Sequence, residues 1–515
     1  MKNSLVSRMS FAGNSRGRFI MGSVLGLVMA AQAGIYNIPL NQTPDRVKTP
    51  LKVEMRRIGT LQPRSVNEIH GSNWTLGCEV LDRDFANFDE YKDYLAPLGI
   101  KTIRLQGGWA KCEKQKGQYD FAWLDHIVDE ARARGLNILL ETGYGNPIYK
   151  GGGGWDLGGG FPSSEEGLAA WDAWVGAMAR HFKGRVRDWA MWNEPDISKK
   201  TVESIAQFNI RTAKAIKAVI PDARIAGLSL ATSSPAYFEK CLQALGPEVK
   251  LFDWFIYHGY AYSPESTYKS VVELKEVLSR YHPGAKMRQG ENGCPSEMAR
   301  RFALSGVPWS EFSQAKWDMR RMLGDLGHDV ESSVFTICDF NHAGREINLK
   351  GLLRADEARN VIAVKRAYYA VQNVVSVFDD TLTRVKGSSF AKGFGTTDST
   401  LATYHYVKNT GAPLFVFWSQ SGSGESLKPQ KKGGEVFLKS YSRPSNSFQT
   451  RPAVFKYTTG KSLKEPVWVD LFTGGVYALA PEQMVETTEG VRFLDIPVYD
   501  SPCLITERSA LVLQK

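Results

Sequence analysis

Signatures of metal and nucleotide binding are missing from this chain of 515 residues. None of the six cysteines forms a Cys-x-x-Cys pair, so a zinc ribbon is not expected. Only eight histidines occur, and His258 alone falls at the end of a predicted strand. No Gly-x-Gly-x-x-Gly follows the first predicted strand, which argues against a dinucleotide-binding fold. We therefore predict no metal site and no cofactor.

Long apolar runs are confined to the N-terminus. Residues 1–33 combine a basic leader, the apolar stretch 19–31 and an Ala31-Gln32-Ala33 cleavage pattern, which is typical of a secretory signal peptide. An uncleaved anchor is the alternative. We expect cleavage after Ala33, a secreted or periplasmic protein, and no membrane span after signal removal.

Strong charge is also lacking. The net charge of +10 falls to +6 (10 − 4) once the four basic residues of the leader are removed. No arginine-rich or RNP-like segment occurs, so nucleic acid is not an expected partner. In a secreted chain a disulfide between Cys78 and Cys112 is possible, and buried free thiols are an equal alternative.

A strict alternation of strands and helices begins at Asn73 and continues to residue 375. Eight predicted strands, each followed by a helical pattern, indicate a (β/α)8 barrel. The last predicted helix spans 359–374. We assign 34–72 to a linker with N-terminal strands and 73–375 to the barrel. Residues 376–515 contain short β-type segments separated by Gly, Ser and Asn, which predicts a β-sandwich.

Two glutamates end buried strands at corresponding places. Glu194 closes the apolar run 186–194 within Trp192-Asn193-Glu194-Pro195, where proline stops the strand. Glu291 closes the short strand 287–291. Their separation of 97 residues (291 − 194) accommodates three βα units of roughly 30 residues each. Both carboxylates therefore lie at the same barrel mouth, placed for acid/base chemistry.

This pattern resembles the retaining glycoside hydrolases of clan A, which carry Asn-Glu after strand 4 and a second Glu after strand 7. With Tyr144-Gly145-Asn146-Pro147 and a trailing β-domain, the layout is most similar to glycoside hydrolase family 39. The resemblance implies Glu194 as acid/base, Glu291 as nucleophile and Asn193 as the residue that contacts the sugar 2-hydroxyl. It also implies an oligo- or polysaccharide substrate.

Further polar and aromatic residues follow the predicted strands, as expected of a barrel active site. We predict that substrate is also bound by Arg104, His258, Tyr260, Trp109, Glu79, Asn146 and Trp155. Asp339 ends the eighth predicted strand. The clan usually has a Trp there; this chain has none, and Phe340 is a candidate replacement. We interpret the glycine-rich loop 143–162 as a mobile rim that presents Trp155 to a sugar.

Two other classes of protein remain as alternatives. A non-catalytic carbohydrate-binding protein on a degenerate barrel would have lost one carboxylate, yet both glutamates are present. A metal-dependent hydrolase or isomerase would cluster His and Asp at strand ends, where His258 stands alone. The particular sugar, endo or exo action, and the oligomeric state are not determined by the sequence.

Overall fold

The computed structural model describes residues 49–514 except 199, 343–345, 387–392, 421–423, 433–434, 442 and 459–462, and gives no side chains for 424–432 and 435–441. The predicted signal peptide and its cleavage after Ala33 lie outside the described residues. Within the described part, no helix is long and apolar enough to cross a membrane.

A closed barrel of eight parallel strands forms the first part of the fold, which confirms the predicted (β/α)8 architecture. A short strand, β1 (Arg57–Thr60), precedes it. The barrel strands are β2 (Trp74–Gly77), β3 (Thr102–Gln106), β4 (Asn137–Glu141), β5 (Asp188–Ala190), β6 (Arg224–Leu230), β7 (Trp254–Tyr257), β8 (Lys286–Asn292) and β9 (Glu331–Val334).

Helices cover the outside of the barrel and bury their apolar faces against the strands. They are α1 (Phe88–Leu98), α2 (Trp109–Cys112), α3 (Ala122–Ala133), α4 (Glu165–Phe182), α5 (Val202–Lys217), α6 (Pro235–Leu245), α7 (Tyr268–Tyr281), α8 (Glu311–Gly327) and α9 (Arg366–Val377). Side-chain caps begin several of them. Ser164, Thr201 and Ser234 each accept a hydrogen bond from a first-turn backbone N–H.

The helix predicted over 359–374 starts seven residues later, at Arg366. Residues before it belong to two hairpins that follow the last barrel strand: β10 (Phe340–Asn341) with β11 (Ile347–Asn348), and β12 (Leu353–Ala355) with β13 (Val361–Val364). Asp356 closes the second hairpin, since its carboxylate accepts from the Asn360 backbone N–H at 2.9 Å. Because β-branched residues fill β13, a strand is favoured there over a helix.

Two antiparallel sheets follow the barrel and pack face to face, as predicted for a β-sandwich. One has the order β1-β22-β21-β25-β17-β16-β14 and the other β15-β20-β24-β23, with a separate β18-β19 hairpin. The strands are β14 (Leu382–Arg384), β15 (Phe394–Gly395), β16 (Leu401–Lys408), β17 (Pro413–Ser419), β18 (Gly424–Lys432), β19 (Glu435–Tyr441), β20 (Arg451–Tyr457), β21 (Pro466–Asp470), β22 (Gly475–Ala478), β23 (Met484–Thr487), β24 (Gly490–Val498) and β25 (Cys503–Glu507).

Strand β17 is buried on both faces. Phe415 and Phe417 enter the core between the two sheets, while Leu414 and Trp418 join the core cluster shared with the barrel. Alternate side chains of a strand point to opposite faces, so one strand serves two cores. Helix α8 contributes a buried ion pair to the same interface, with Lys316 Nζ 2.6 Å from Asp500 Oδ1.

All six cysteines are buried free thiols, so the possible Cys78–Cys112 disulfide is not formed. Cys78 follows barrel strand β2, and Cys112 ends helix α2. Each sulfur is enclosed by apolar core residues. Free cysteine often packs in cores as a small hydrophobic residue.

Candidate active site

Polar side chains from six barrel strands converge at the carboxyl ends of the strands. Parallel strands in register bring these positions together, as when Gln106 of β3 lies opposite Glu141 of β4. The groups that line the resulting cleft include Glu79, Gln106, Tyr144, Asn193, Glu194, Tyr260 and Glu291. This is the face on which (β/α)8 barrels carry their active sites.

Arg104 is the central hydrogen-bond donor of the site. Its buried guanidinium lies 2.9 Å from Glu79 Oε1 and donates to Glu291 Oε2 at 3.0 Å. It also donates to Asn193 Oδ1 at 2.6 Å and to the Glu141 carboxylate. One planar donor group thus fixes the positions of four side chains from four different strands or strand ends.

Glu291 is held as a carboxylate. Tyr260 Oη donates to its Oε1 at 3.0 Å while Arg104 binds the other oxygen. Burial would raise the pKa of Glu291, but the charges of His258 and Arg104 and these hydrogen bonds outweigh it, so the pKa lies below its ordinary value. Glu291 is therefore ionised at neutral pH.

Glu194 lies across the cleft and contacts His258. The Nδ1 of His258 is 2.8 Å from Glu194 Oε1, and burial of His258 is complete. Burial would lower the pKa of His258, but Glu291 and the bond to Glu194 raise it above its ordinary value. Among the described residues Glu194 Oε2 has no hydrogen-bond partner, and the Glu194 side chain is 14% exposed. One carboxyl oxygen is thus anchored while the other faces the cleft.

The backbone at Glu194 is strained. Its φ of 46° lies in the left-handed region, which is uncommon for a residue other than glycine. A hydrogen bond from Glu194 N to Ser229 O of β6, at 2.9 Å, holds this conformation. Such a conformation costs about 1–3 kcal/mol and persists where the surroundings over-determine it.

Two further carboxyls contact Arg104, and the pKa of each is raised, whereas that of Glu291 is lowered. Burial raises the pKa of Glu79 to about 8, with Arg104 opposing and Glu291 and Glu141 adding to the rise. Burial likewise raises the pKa of Glu141 above its ordinary value, against the opposing charge of Arg104. Glu79 is therefore mostly protonated at neutral pH, which limits the negative charge placed around one guanidinium.

An oxygen of Glu194, an oxygen of Glu291 and a ring nitrogen of His258 lie within 4.8 Å of one another. These three donors could in principle ligate a metal. However, Arg104 lies 3.0 Å from Glu291 Oε2, so a cation bound there would lie beside an arginine. The arrangement brings two carboxyls together in one cleft.

The cleft encloses about 270 Å³, and the rest of its wall is formed by residues that the sequence analysis mostly missed. Phe340, the suggested replacement for the strand 8 Trp, lines it and packs edge-on to Phe335 at 5.9 Å. These side chains come from loops after β8 and β9, where no periodicity signals a role. The remaining members of this wall include Phe302, Ala303, His342, Asn348 and Lys350.

Three predicted binding residues lie elsewhere. Trp109 is fully buried and stacks on Trp174 of helix α4, so it belongs to the core. Asn146 is buried and donates to the Glu113 backbone carbonyl at 2.8 Å. Trp155 is 48% exposed and is not among the residues that line the cleft. By contrast Arg104, His258, Tyr260 and Glu79 meet at the site with Asn193 and both glutamates.

Asp339 is also absent from the cleft. It pairs with Lys365 at 2.6 Å, and both side chains are completely buried. The strand β9 ends at Val334, five residues before Asp339. The prediction placed the strand end too late, because the apolar run continues into the following turn.

The glycine-rich loop borders the cleft, which Leu157 lines, and the loop is closely packed against itself. Gly145 N donates to Gly154 O at 2.7 Å, and Gly154 N donates to Gly160 O at 3.1 Å. Backbone segments approach so closely that a Cβ on Gly154 would lie 2.3 Å from Gly159 Cα. The glycines are therefore required for close backbone contact.

Comparison with known proteins points to sugar-cleaving enzymes. The family model Glyco_hydro_42, described as Beta-galactosidase, matches residues 84–148. Beta-galactosidase BgaA of Clostridium cellulovorans is 39% identical over 51 residues, which are 10% of this chain and 8% of that protein. The chain thus matches less than a tenth of this relative's length.

Solved structures resemble nearly the whole chain. A family 39 glycoside hydrolase from Bacteroides cellulosilyticus WH2 has a TM-score of 0.58 at 14% identity, covering 85% of this chain and 81% of that chain. GH30 xylanase C from Talaromyces cellulolyticus (catalytic domain) has 0.53 at 11%, covering 88% and 98%. A monomeric beta-xylosidase from Caulobacter crescentus CB15 has 0.52 at 15%, covering 88% and 97%. The resemblance to clan A, most like family 39, is confirmed at the level of fold.

The packed glycine loop generates a stability prediction. Gly154→Ala should lower the free energy of unfolding by about 1–3 kcal/mol, because the added methyl group meets backbone that cannot move aside. Urea denaturation of the full chain measures this change. Gly158→Ala is the matched control, since the nearest atom to its Cβ is 3.6 Å away. Equal stability of the two variants would contradict the close packing.

Proposed function

We propose that the protein is a retaining glycoside hydrolase that cleaves O-glycosidic bonds in oligo- or polysaccharides. The observation that carries the proposal is the opposed pair Glu194 and Glu291, whose oxygens come within 4.8 Å across the cleft. Retaining enzymes use carboxyl groups about 5–5.5 Å apart, and inverting enzymes need a wider gap for water. We also propose that the protein is secreted or periplasmic, on the sequence of residues 1–33.

In the first step Glu291 attacks the anomeric carbon as Glu194 protonates the departing oxygen. The nucleophile must be ionised before it attacks, and the contacts of Glu291 with Arg104 and Tyr260 support that state. Glu194 Oε2, which faces the cleft, is the oxygen that carries the proton. The anomeric carbon becomes bonded to a Glu291 oxygen, and the leaving group departs as an alcohol.

In the second step Glu194, now ionised, removes a proton from water. The water attacks the anomeric carbon and breaks the bond to Glu291, so two inversions give net retention. His258 Nδ1 is 2.8 Å from Glu194 Oε1 and holds the carboxyl of the acid/base residue in position. Asn193, fixed by Arg104 and by Tyr144 at 3.1 Å, is positioned beside Glu194 to contact a sugar hydroxyl.

The stereochemical course tests the proposal directly. NMR of the first-formed product from an aryl glycoside should show the anomer of the substrate, because a glycosyl-enzyme forms and is then hydrolysed. The screen should include xylosides, galactosides and glucosides with a common leaving group. An inverted first product would rule out Glu291 as a nucleophile and require the wider carboxyl separation.

The two glutamates should respond differently when removed. Glu291→Ala should abolish turnover of every substrate, and azide should then give a product of inverted configuration. Glu194→Ala should lose about 10²–10⁴-fold on substrates with poor leaving groups. A dinitrophenyl glycoside should still form the glycosyl-enzyme, and azide should restore turnover with retained configuration.

Glu276→Ala, on the exposed face of helix α7, is the control and should keep wild-type activity. The azide products identify the roles by their configuration. A retained azide product from Glu291→Ala together with an inverted azide product from Glu194→Ala would mean that the roles of the two glutamates are exchanged. Full activity of Glu291→Ala would contradict the proposal.

Removing the hydroxyl of Tyr260 should shift the acidic limb of the pH profile of kcat/KM. Glu291 acts as nucleophile only above its lowered pKa, and loss of the hydrogen bond in Tyr260→Phe raises that pKa. The limb should therefore move to higher pH by roughly 1–2 units. Tyr281→Phe, on the surface of helix α7, should leave the limb in place. A shift to lower pH in Tyr260→Phe would contradict the assignment.

A further inference from the structure

Lys350 is a buried cation without an acidic partner. Three lysines of the described residues are almost completely buried: Lys316, Lys350 and Lys365. Lys316 and Lys365 each lie 2.6 Å from a carboxylate oxygen. Among the described residues, no carboxylate lies within 4.0 Å of Lys350 Nζ, whose one hydrogen-bond partner is Asn348 Oδ1 at 3.5 Å. Burial of an uncompensated charge is costly, so this cation requires an explanation.

The position of Lys350 explains this buried charge, because the residue lines the cleft that holds Glu194 and Glu291. Its Nζ is 5.9 Å from the Tyr260 ring centroid and 5.8 Å from that of Phe302. Burial lowers the pKa of Lys350 to about 8, with Cys294, Glu291 and Glu346 opposing, so the group remains mostly charged at neutral pH. A ligand in the cleft would therefore meet a desolvated positive charge.

The other cation of the cleft wall differs from Lys350. Arg83 donates to Gln106 Oε1 at 2.5 Å and to Asp82 Oδ1 at 3.2 Å, so its charge is already compensated. Asn348 also lines the cleft, and within the described part of the chain its Nδ2 has no hydrogen-bond partner. Lys350 and Asn348 thus present an ammonium and an amide donor side by side.

We infer that Lys350 and Asn348 bind an anionic substituent of the sugar, a carboxylate or a sulfate ester, in the catalytic cleft. The inference rests on the proposed function and adds the substrate class. Glu291 and Glu194 line the same cleft and would repel an anion, so the substituent must lie against Lys350. Charges of both signs within one cleft therefore orient the ring as well as select its class.

The test compares aryl glycosides that share leaving group and configuration and differ only in the substituent. Each neutral hexoside is paired with its uronide and with its 6-sulfate. Wild-type protein should show a higher kcat/KM for an anionic member than for its neutral partner. Lys350→Met should lower that ratio of kcat/KM values about 10- to 100-fold, which corresponds to the usual free energy of a hydrogen bond to a charged group. Lys116→Met, an exposed surface change, should leave the ratio unchanged.

Asn348→Asp is a second variant in case Lys350→Met fails to fold. It supplies an acidic partner to Lys350 and should abolish the preference for anionic substrates. If a variant lowers only the ratio of kcat/KM for the uronide over the neutral hexoside, the bound substituent is a carboxylate. If it lowers only the ratio for the 6-sulfate over the neutral hexoside, the substituent is a sulfate ester. Hydrolysis of neutral substrates only, or ratios that neither variant changes, would overturn the inference and leave the proposed function standing. No hydrolysis of any member would overturn both.

Discussion

The contacts of Arg104 are the constraint on which the site depends. A single guanidinium from the middle of β3 contacts side chains at the ends of β2, β4, β5 and β8. Buried charges are stable only when they are paired and hydrogen-bonded, so each partner must hold its place for the others to be satisfied. Arg104, together with His258, lowers the pKa of Glu291, and it opposes the rise that burial causes in the pKa of Glu79.

The residues that line the cleft have two different origins. The ends of barrel strands supply the carboxyls, including Glu194 and Glu291, and the parallel register from β5 through β8 sets their separation. Loops and the first hairpin after β9 supply Phe340, Asn348 and Lys350. A rigid scaffold that positions chemistry while loops set selectivity is the general pattern of this fold.

Sequence reasoning located the residues whose place follows from strand ends. Glu194 and Glu291 were found because predicted strands stop beside them, and Arg104 because it lies within a predicted strand. Residues on aperiodic loops, such as Lys350 and Phe302, gave no such signal. Trp109 was misassigned because proximity to a strand end does not reveal direction, and its ring turns into the core beside α4. The β13 hairpin was mistaken for helix because short apolar runs fit either period.

Strand β17 has a consequence for how this protein can be altered. Its two faces complete two different cores, so the sandwich is not an appendage that can be exchanged between barrels. A transplanted sandwich would have to match the barrel surface at Leu414 and Trp418 while preserving its own interior at Phe415 and Phe417. Substitutions along this strand are therefore constrained from both sides, and the two domains are expected to diverge together as a single inherited unit.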